Sequence, residues 1–171
     1  MPATIVQYAL FGVFPLAMAY AAASDLITMT ISNKVSLALL AGFLVVAPFA
    51  GLDWQAVGLH LAAGALVLAV AFVFFACGWI GGGDAKLAAA IALWIGWGDL
   101  VDYLSLAAIF GGVLTLMILA LRRTVLPAFV IRQPWIQRLH DEKAGVPYGV
   151  ALAAAGLAMY PHTVWLRVAL G

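Results

Sequence analysis

Long apolar stretches with few charged residues make up most of this 171-residue chain. A helix needs about 20 apolar residues to cross the hydrocarbon core of a lipid bilayer. By this measure we expect an all-α, polytopic membrane protein that forms a single domain over residues 1–171. The sequence predicts six membrane-spanning helices, at residues 4–24, 35–50, 56–80, 85–101, 104–121 and 148–170.

The composition indicates that lipid, not water, is the main solvent of this protein. Hydrophobic residues make up 67% of the chain and charged residues only 9%, whereas a soluble domain carries about 25% charged residues. So few charges do not cover a water-facing surface. The formal net charge is +1 and there is no arginine run, so nothing in the charge pattern points to nucleic acid.

The basic residues predict how the chain is oriented in the membrane. Lys34 follows the first predicted span, Lys86 follows the third, and five more basic residues follow the fifth. The loops after the second and fourth spans carry only acidic charges. Because lysine and arginine are enriched in cytoplasmic loops, we expect these three basic loops in the cytoplasm and both termini in the periplasm. No basic residue precedes Lys34, so we expect no secretory signal peptide.

The predicted cytoplasmic loop at residues 122–147 is the only segment with the composition of a soluble protein. Pro127 and Pro134 interrupt it, and apolar residues alternate there with basic ones. One interpretation is an interfacial segment held by anionic lipid headgroups. The other is a docking site for a cytosolic partner.

Metal and cofactor sites are not indicated by the cysteine and histidine content. Cys77 is the only cysteine, which excludes an intrachain disulfide and a cysteine-rich metal site. His60, His140 and His162 lie in different segments. We therefore expect neither a metal nor an organic cofactor.

Two aspartates need an explanation beyond that of a loop charge. Asp25 and Asp84 each adjoin a long apolar stretch, where an ionisable group is costly and marks a functional candidate. Asp25 ends the first predicted span and Asp84 precedes the fourth, so both fall at the cytoplasmic side and can meet in a helix bundle. Two paired carboxylates share one proton, as in the aspartic proteases. Our hypothesis is that Asp84 acts as the base and Asp25 as the acid.

Three glycines, Gly81, Gly82 and Gly83, come directly before Asp84. Glycine is unfavourable inside a helix, so this run predicts a sharp bend or a place where another chain approaches closely. A protease binds its substrate extended, commonly by strand addition to exposed backbone groups. A plain flexible turn is the alternative. A phosphate-binding loop is a third option, but this sequence lacks the Gly-Lys-Ser/Thr ending that would support it.

Residues 81–87, Gly-Gly-Gly-Asp-Ala-Lys-Leu, resemble the Gly-x-Gly-Asp-x-Lys-Leu signature of the type IV prepilin peptidases, which are intramembrane Gly-x-Gly-Asp aspartic proteases. The segment after Asp25 ends in Ile-Ser-Asn at residues 31–33 and is similar to the family's Ile-Pro-Asn element, with Ser32 in place of proline. Residues 146–149, Val-Pro-Tyr-Gly, resemble the Pro-aromatic-Gly that opens the last span. The resemblance implies that Asp25 and Asp84 are the catalytic pair.

The same resemblance implies an endopeptidase that removes the cytoplasmic leader of prepilin or pseudopilin precursors in a bacterial inner membrane. The chain is similar to the short form found with tight-adherence (Flp-type) pili, which implies cleavage without N-methylation and without zinc or S-adenosylmethionine. Supporting roles around the substrate fall to the motif residues. The glycines would provide backbone room, Asn33 would orient the loop near Asp25, and Lys86 would snorkel or pack. Pro147 belongs to the same substrate-approach set.

Two other functions fit part of the pattern. A proton- or cation-coupled transporter would use Asp25 and Asp84 as ion ligands, with the glycines as a helix break. Transporters place such breaks near the bilayer midplane and in corresponding repeat halves, whereas here the carboxylates adjoin span ends and no repeat is visible. A non-enzymatic scaffold subunit of a pilus or secretion machine is the third interpretation.

Overall fold

The computed structural model describes residues 2–170, and it describes the side chains of residues 12–168. Within this part of the chain the secondary structure is helical and there are no strands, which confirms the predicted all-α fold. The α-helices are α1 (Pro2–Thr28), α2 (Asn33–Val46), α3 (Trp54–Ala76), α4 (Gly82–Ile95), α5 (Leu100–Arg122), α6 (Ala128–Ile131), α7 (Pro134–His140), α8 (Tyr148–Met159) and α9 (Val164–Leu170). A short 3₁₀ helix, Tyr160–His162, joins α8 to α9.

Several predicted span boundaries are wrong, and glycine or proline accounts for three of them. Helix α4 ends at Ile95 because Gly96 has a φ of 86°, a left-handed conformation that ends helices. The predicted span 85–101 therefore runs into α5. Helix α3 similarly ends at Ala76, before the predicted boundary at residue 80, and Gly78, with a φ of 74°, follows its end. The predicted span 148–170 is broken between α8 and α9 around Pro161, which lacks the N–H that a helix interior needs.

Two of the described helices, α3 and α5, are long and apolar enough to cross a membrane by length and composition. Two shorter segments are also apolar: Gly12–Thr28, which is the part of α1 whose side chains are described, and helix α2. The count of six spans and the periplasmic termini therefore stay predictions. The predicted loop 122–147 contains two short helices, α6 and α7.

Helix α4 forms the centre of the bundle and packs mainly against α3, α2 and α8. Between residues 85 and 95 every side chain except that of Lys86 is buried. Many of these residues are alanines, and small residues allow neighbouring helices to approach closely. Trp94 is fully buried, and its indole N–H donates to the carbonyl of Leu39 at 2.9 Å.

Helix α8 packs between α1 and α5 and also contacts α4. Its first turn lies near the C-terminal end of α1 and the N-terminal end of α4, because Gly149 is next to Asp25 and both Gly149 and Gly83 pack against Ile31. These two ends carry Asp25 and Asp84, respectively. The arrangement brings three segments that are far apart in sequence to one end of the bundle.

Candidate active site

Asp84 lies in the first turn of α4, as its third residue, and does not precede the helix as expected from the sequence. Gly81 is the N-cap residue, and the Asp84 carboxylate lies beside it, because a Cβ on Gly81 would be 2.9 Å from Oδ2 of Asp84. A side chain at this position that reaches back to the N-cap residue resembles half of a capping box. The helix start therefore positions the Asp84 side chain, and the positive end of the helix dipole favours its charged form.

Asp25 lies in the last turn of α1 and is only 4% exposed. Its Oδ2 accepts a hydrogen bond of 2.7 Å from the backbone N–H of Gly149, which is 124 residues away in sequence. The backbone N–H of Val150 also favours the ionised form of this carboxylate. Both N–H groups belong to the first turn of α8, so the N-terminus of α8 offsets the unfavourable position of Asp25 at the C-terminal end of α1.

The two carboxylates interact with each other, and both lie just outside the predicted spans 4–24 and 85–101. Burial raises the pKa of Asp25 above its ordinary value. Burial, and next the charge of Asp25, raise the pKa of Asp84 to about 6. The N–H of Gly149 also stabilises the ionised form of Asp84. The structure therefore brings the two predicted residues close enough to interact, and two such carboxylates do not easily both ionise.

Of the two structures that the sequence predicts for the glycine run, a sharp bend or a close approach of another chain, the second is found. Gly81 has an ordinary extended backbone, and Gly82 and Gly83 form the first turn of α4. Their role is close packing. A Cβ on Gly83 would lie 3.2 Å from the Cβ of Ile31, and a Cβ on Gly82 would lie 3.3 Å from the ring of Phe75. The chain that approaches Gly83 is thus the protein's own segment between α1 and α2.

Ile31 and Gly149 complete the site, although neither was among the site residues predicted from the sequence. A Cβ on Gly149 would lie 2.5 Å from Cδ1 of Ile31 and 2.8 Å from Oδ2 of Asp25. Ile31 is therefore packed between Gly83 of α4 and Gly149 of α8. Ile31 belongs to the Ile-Ser-Asn motif and Gly149 to the Pro-Tyr-Gly motif, and membership of these motifs was a sufficient signal to find them.

The remaining predicted site residues have different positions. Asn33 is the first residue of α2, and its side-chain oxygen accepts a 2.9 Å hydrogen bond from Nζ of Lys86. This contact joins α2 to α4, and the predicted role of Asn33 in orienting the loop near Asp25 stays a prediction. Pro147 is fully buried and caps the start of α8.

Two arginines fasten the segment that leads into α8. At the end of α5, the guanidinium of Arg122 donates to the carbonyls of Leu139, Ala144 and Gly145 at 2.8–2.9 Å. Arg138 of α7 donates to the carbonyl of Ile27 at 2.7 Å, near the end of α1. From the sequence both residues counted only as cytoplasmic charges. The contacts show that they tie residues 138–145 to the helices around the aspartates.

Replacing Arg122 by lysine is expected to loosen this segment, because an ammonium group lacks the planar fork that reaches three carbonyls. Backbone amides of residues 139–149 should exchange hydrogen at least about tenfold faster, since hydrogen bonds to charged groups contribute about 1.5–3 kcal/mol. Hydrogen–deuterium exchange measures this change. The adjacent Arg123, which is exposed, provides the control as Arg123→Lys. Equal exchange in both variants would contradict the structural role of Arg122.

The raised pKa of Asp84 predicts how stability depends on pH. The ordinary pKa is 3.8 and the folded value is about 6, so between these pH values the folded protein binds a proton that the unfolded chain has lost. Stability should therefore fall as pH rises from about 4 to 6. In Asp84→Asn this loss should be smaller. The melting temperature of the variant minus that of the wild type should therefore increase with pH. Thermal melts at pH 4.5 and 7.5, with Asp102→Asn as the control, measure the difference. A constant gap would contradict the assignment.

The comparisons with known proteins agree with this geometry. The model of the type IV leader peptidase family matches residues 12–116, more than half of the chain. The match includes Asp25, Asp84 and the glycine run. Neither the curated proteins nor the solved structures yield a match. The chain therefore belongs to the type IV leader peptidase family, whose members are membrane proteins that process prepilins.

Proposed function

We propose that this protein is an intramembrane aspartic endopeptidase that removes the cytoplasmic leader from Flp-type prepilins or pseudopilins without methylating the new N-terminus. The observation that carries the proposal is that Asp25, which accepts a hydrogen bond from the N–H of Gly149, lies close enough to Asp84 for its charge to raise the pKa of Asp84. A shared proton allows one carboxylate to activate water while the other polarises the scissile carbonyl. Because the chain belongs to a peptidase family, we do not propose the transporter or the scaffold.

We propose Asp25 as the base and Asp84 as the acid, the reverse of the hypothesis made from the sequence. Asp25 accepts a hydrogen bond of 2.7 Å from the N–H of Gly149, which favours its ionised form. The pKa of Asp84 is raised to about 6, in part by the charge of Asp25. In this proposal the shared proton resides mainly on Asp84.

The proposed reaction is a general acid–base hydrolysis. Asp25 takes a proton from a water molecule, and the water oxygen attacks the scissile carbonyl carbon. Asp84 gives its proton to the carbonyl oxygen, which yields a tetrahedral diol. When the C–N bond breaks, the proton on Asp25 moves to the leaving nitrogen and a diol proton returns to Asp84. The dyad then has its original single proton.

The proposed placement puts the dyad on the cytoplasmic side of the inner membrane, with six spans and both termini in the periplasm. Seven of the eight basic residues belong to the three loops assigned to that side. Asp25 and Asp84 lie at helix ends, where a leader meets the membrane surface. An extended leader would reach the dyad from the water phase, while the apolar helix of the precursor stays in lipid.

Cleavage of a co-expressed precursor tests this function. We expect the wild-type protein to shorten a Flp-type prepilin, seen as a gel shift, and mass spectrometry of the product to show an unmethylated N-terminus. A membrane protein with an ordinary secretory signal peptide serves as the negative control. A precursor that stays intact beside correctly inserted enzyme would overturn the proposed activity. A methylated product would overturn only the peptidase-only assignment.

A further inference from the structure

An open groove of about 460 Å³ lies between α2 and α3, with α4 as its floor. The residues of α4 in this floor are Lys86, Ala89, Ala90 and Leu93. They follow the spacing of one helix face. Asp84 is not part of that face; it interacts with Asp25 of α1 and Gly149 of α8. The groove is therefore separate from the candidate active site.

The walls of the groove are apolar over about two-thirds of the depth of one leaflet. On α2 and α4 its lining extends over eight residues, Asn33 to Leu40 and Lys86 to Leu93, or about 10 Å along each helix at 1.5 Å per residue. The hydrocarbon core of a bilayer is about 30 Å thick. Most of the wall side chains are leucines or small residues, so the groove suits an acyl chain from the leaflet next to the dyad.

One end of the groove is polar and cationic. Lys86 and Asn33 line this end, and Nζ of Lys86 donates to the Asn33 side-chain oxygen at 2.9 Å. The lysine is exposed, and an ammonium group has three donors, so two remain for a ligand. The Asn33 amide group adds further N–H donors. No acidic residue lines the groove within the described part of the chain.

We propose that this groove binds one anionic phospholipid, with its phosphate on Lys86 and Asn33 and an acyl chain along the leucines. The proposal rests on the membrane location of the family and not on the peptidase assignment. A positive group at the headgroup level and an apolar channel below it together match a lipid. A precursor helix fits less well, because it would hold its cleavage site on the side of α4 away from the aspartates.

Native mass spectrometry of the purified full-length protein, equilibrated with equal amounts of phosphatidylglycerol and phosphatidylcholine, tests the proposal. We expect one retained phosphatidylglycerol per chain. Lys86→Gln should lower its retention about fivefold, since a basic residue near the membrane surface contributes about 1 kcal/mol to anionic lipid binding. Lys34→Gln, at an exposed lysine outside the groove lining, should retain the lipid as the wild type does.

Filling the groove gives an independent test. Ala65→Phe places a ring in the α3 wall and should reduce the retention of both lipids, whereas Val70→Phe, at an exposed position of α3 outside the lining, should not. Equal retention of both lipids by the wild type would overturn the proposal. So would unchanged binding in Lys86→Gln, or crosslinking of a photoreactive residue at position 65 to a precursor helix instead of lipid. Size-exclusion profiles verify folding, and Lys86→Gln decides the outcome if Ala65→Phe aggregates.

Discussion

Replacing either Asp25 or Asp84 by asparagine is expected to lower the rate of precursor cleavage at least about a thousandfold, as the loss of one member of a catalytic unit does in other hydrolases. Asparagine has nearly the same shape as aspartate but neither accepts the proton from water nor donates one to the carbonyl oxygen. In either variant the remaining carboxyl group therefore has no second carboxyl group with which to share a proton. A time course of leader removal from a Flp-type precursor measures the loss.

The matched control for these variants is Asp102→Asn. Asp102 lies in the first turn of α5, as Asp84 lies in the first turn of α4, but its side chain is exposed. This variant should cleave at the wild-type rate. Membrane insertion and thermal stability of all variants verify that the loss is chemical. If Asp25→Asn or Asp84→Asn still cleaved at a near-normal rate, the paired-aspartate mechanism would be wrong for this protein.

Gly149→Ala is expected to lower the cleavage rate about a hundredfold or more, although alanine is the smallest possible side chain. The added Cβ would lie 2.8 Å from Oδ2 of Asp25 and 2.5 Å from Ile31, so Asp25, Ile31 or the start of α8 must move. Displacement of a catalytic group by about 1 Å costs roughly two orders of magnitude. The matched control is Gly145→Ala, where an added Cβ meets no atom within 4 Å.

A second substitution separates a displaced carboxylate from general destabilisation. In the double variant Gly149→Ala with Ile31→Ala, the shortened side chain removes the contact with Ile31 but not the contact with Asp25. The melting temperature should therefore recover in part, while the cleavage rate stays low. If the rate recovered together with the melting temperature, Gly149 would act through packing alone and not through its N–H on the dyad.

Much of the candidate site was predictable because its signals are local. The aspartates adjoin apolar stretches, the glycine run precedes Asp84, and the loop charges assign both aspartates to one side. Helix ends were less predictable. Hydropathy alone does not separate α4 from α5, because the break depends on the left-handed backbone of Gly96 in an otherwise apolar segment.

Hydropathy and short motifs by themselves determined the helical class of this protein and singled out Asp25 and Asp84 as candidates, since an ionisable residue beside an apolar stretch is conspicuous in any sequence. Only the tertiary structure decided which backbone group donates to Asp25. The N–H of Gly149 meets Asp25 across 124 residues, and the motif that contains Gly149 does not indicate this contact. The tertiary structure also decided that Ile31 packs against two glycines and that Arg122 donates hydrogen bonds to three backbone carbonyls. Such contacts depend on how helices α1, α4, α5 and α8 pack, and that packing is a property of the whole bundle.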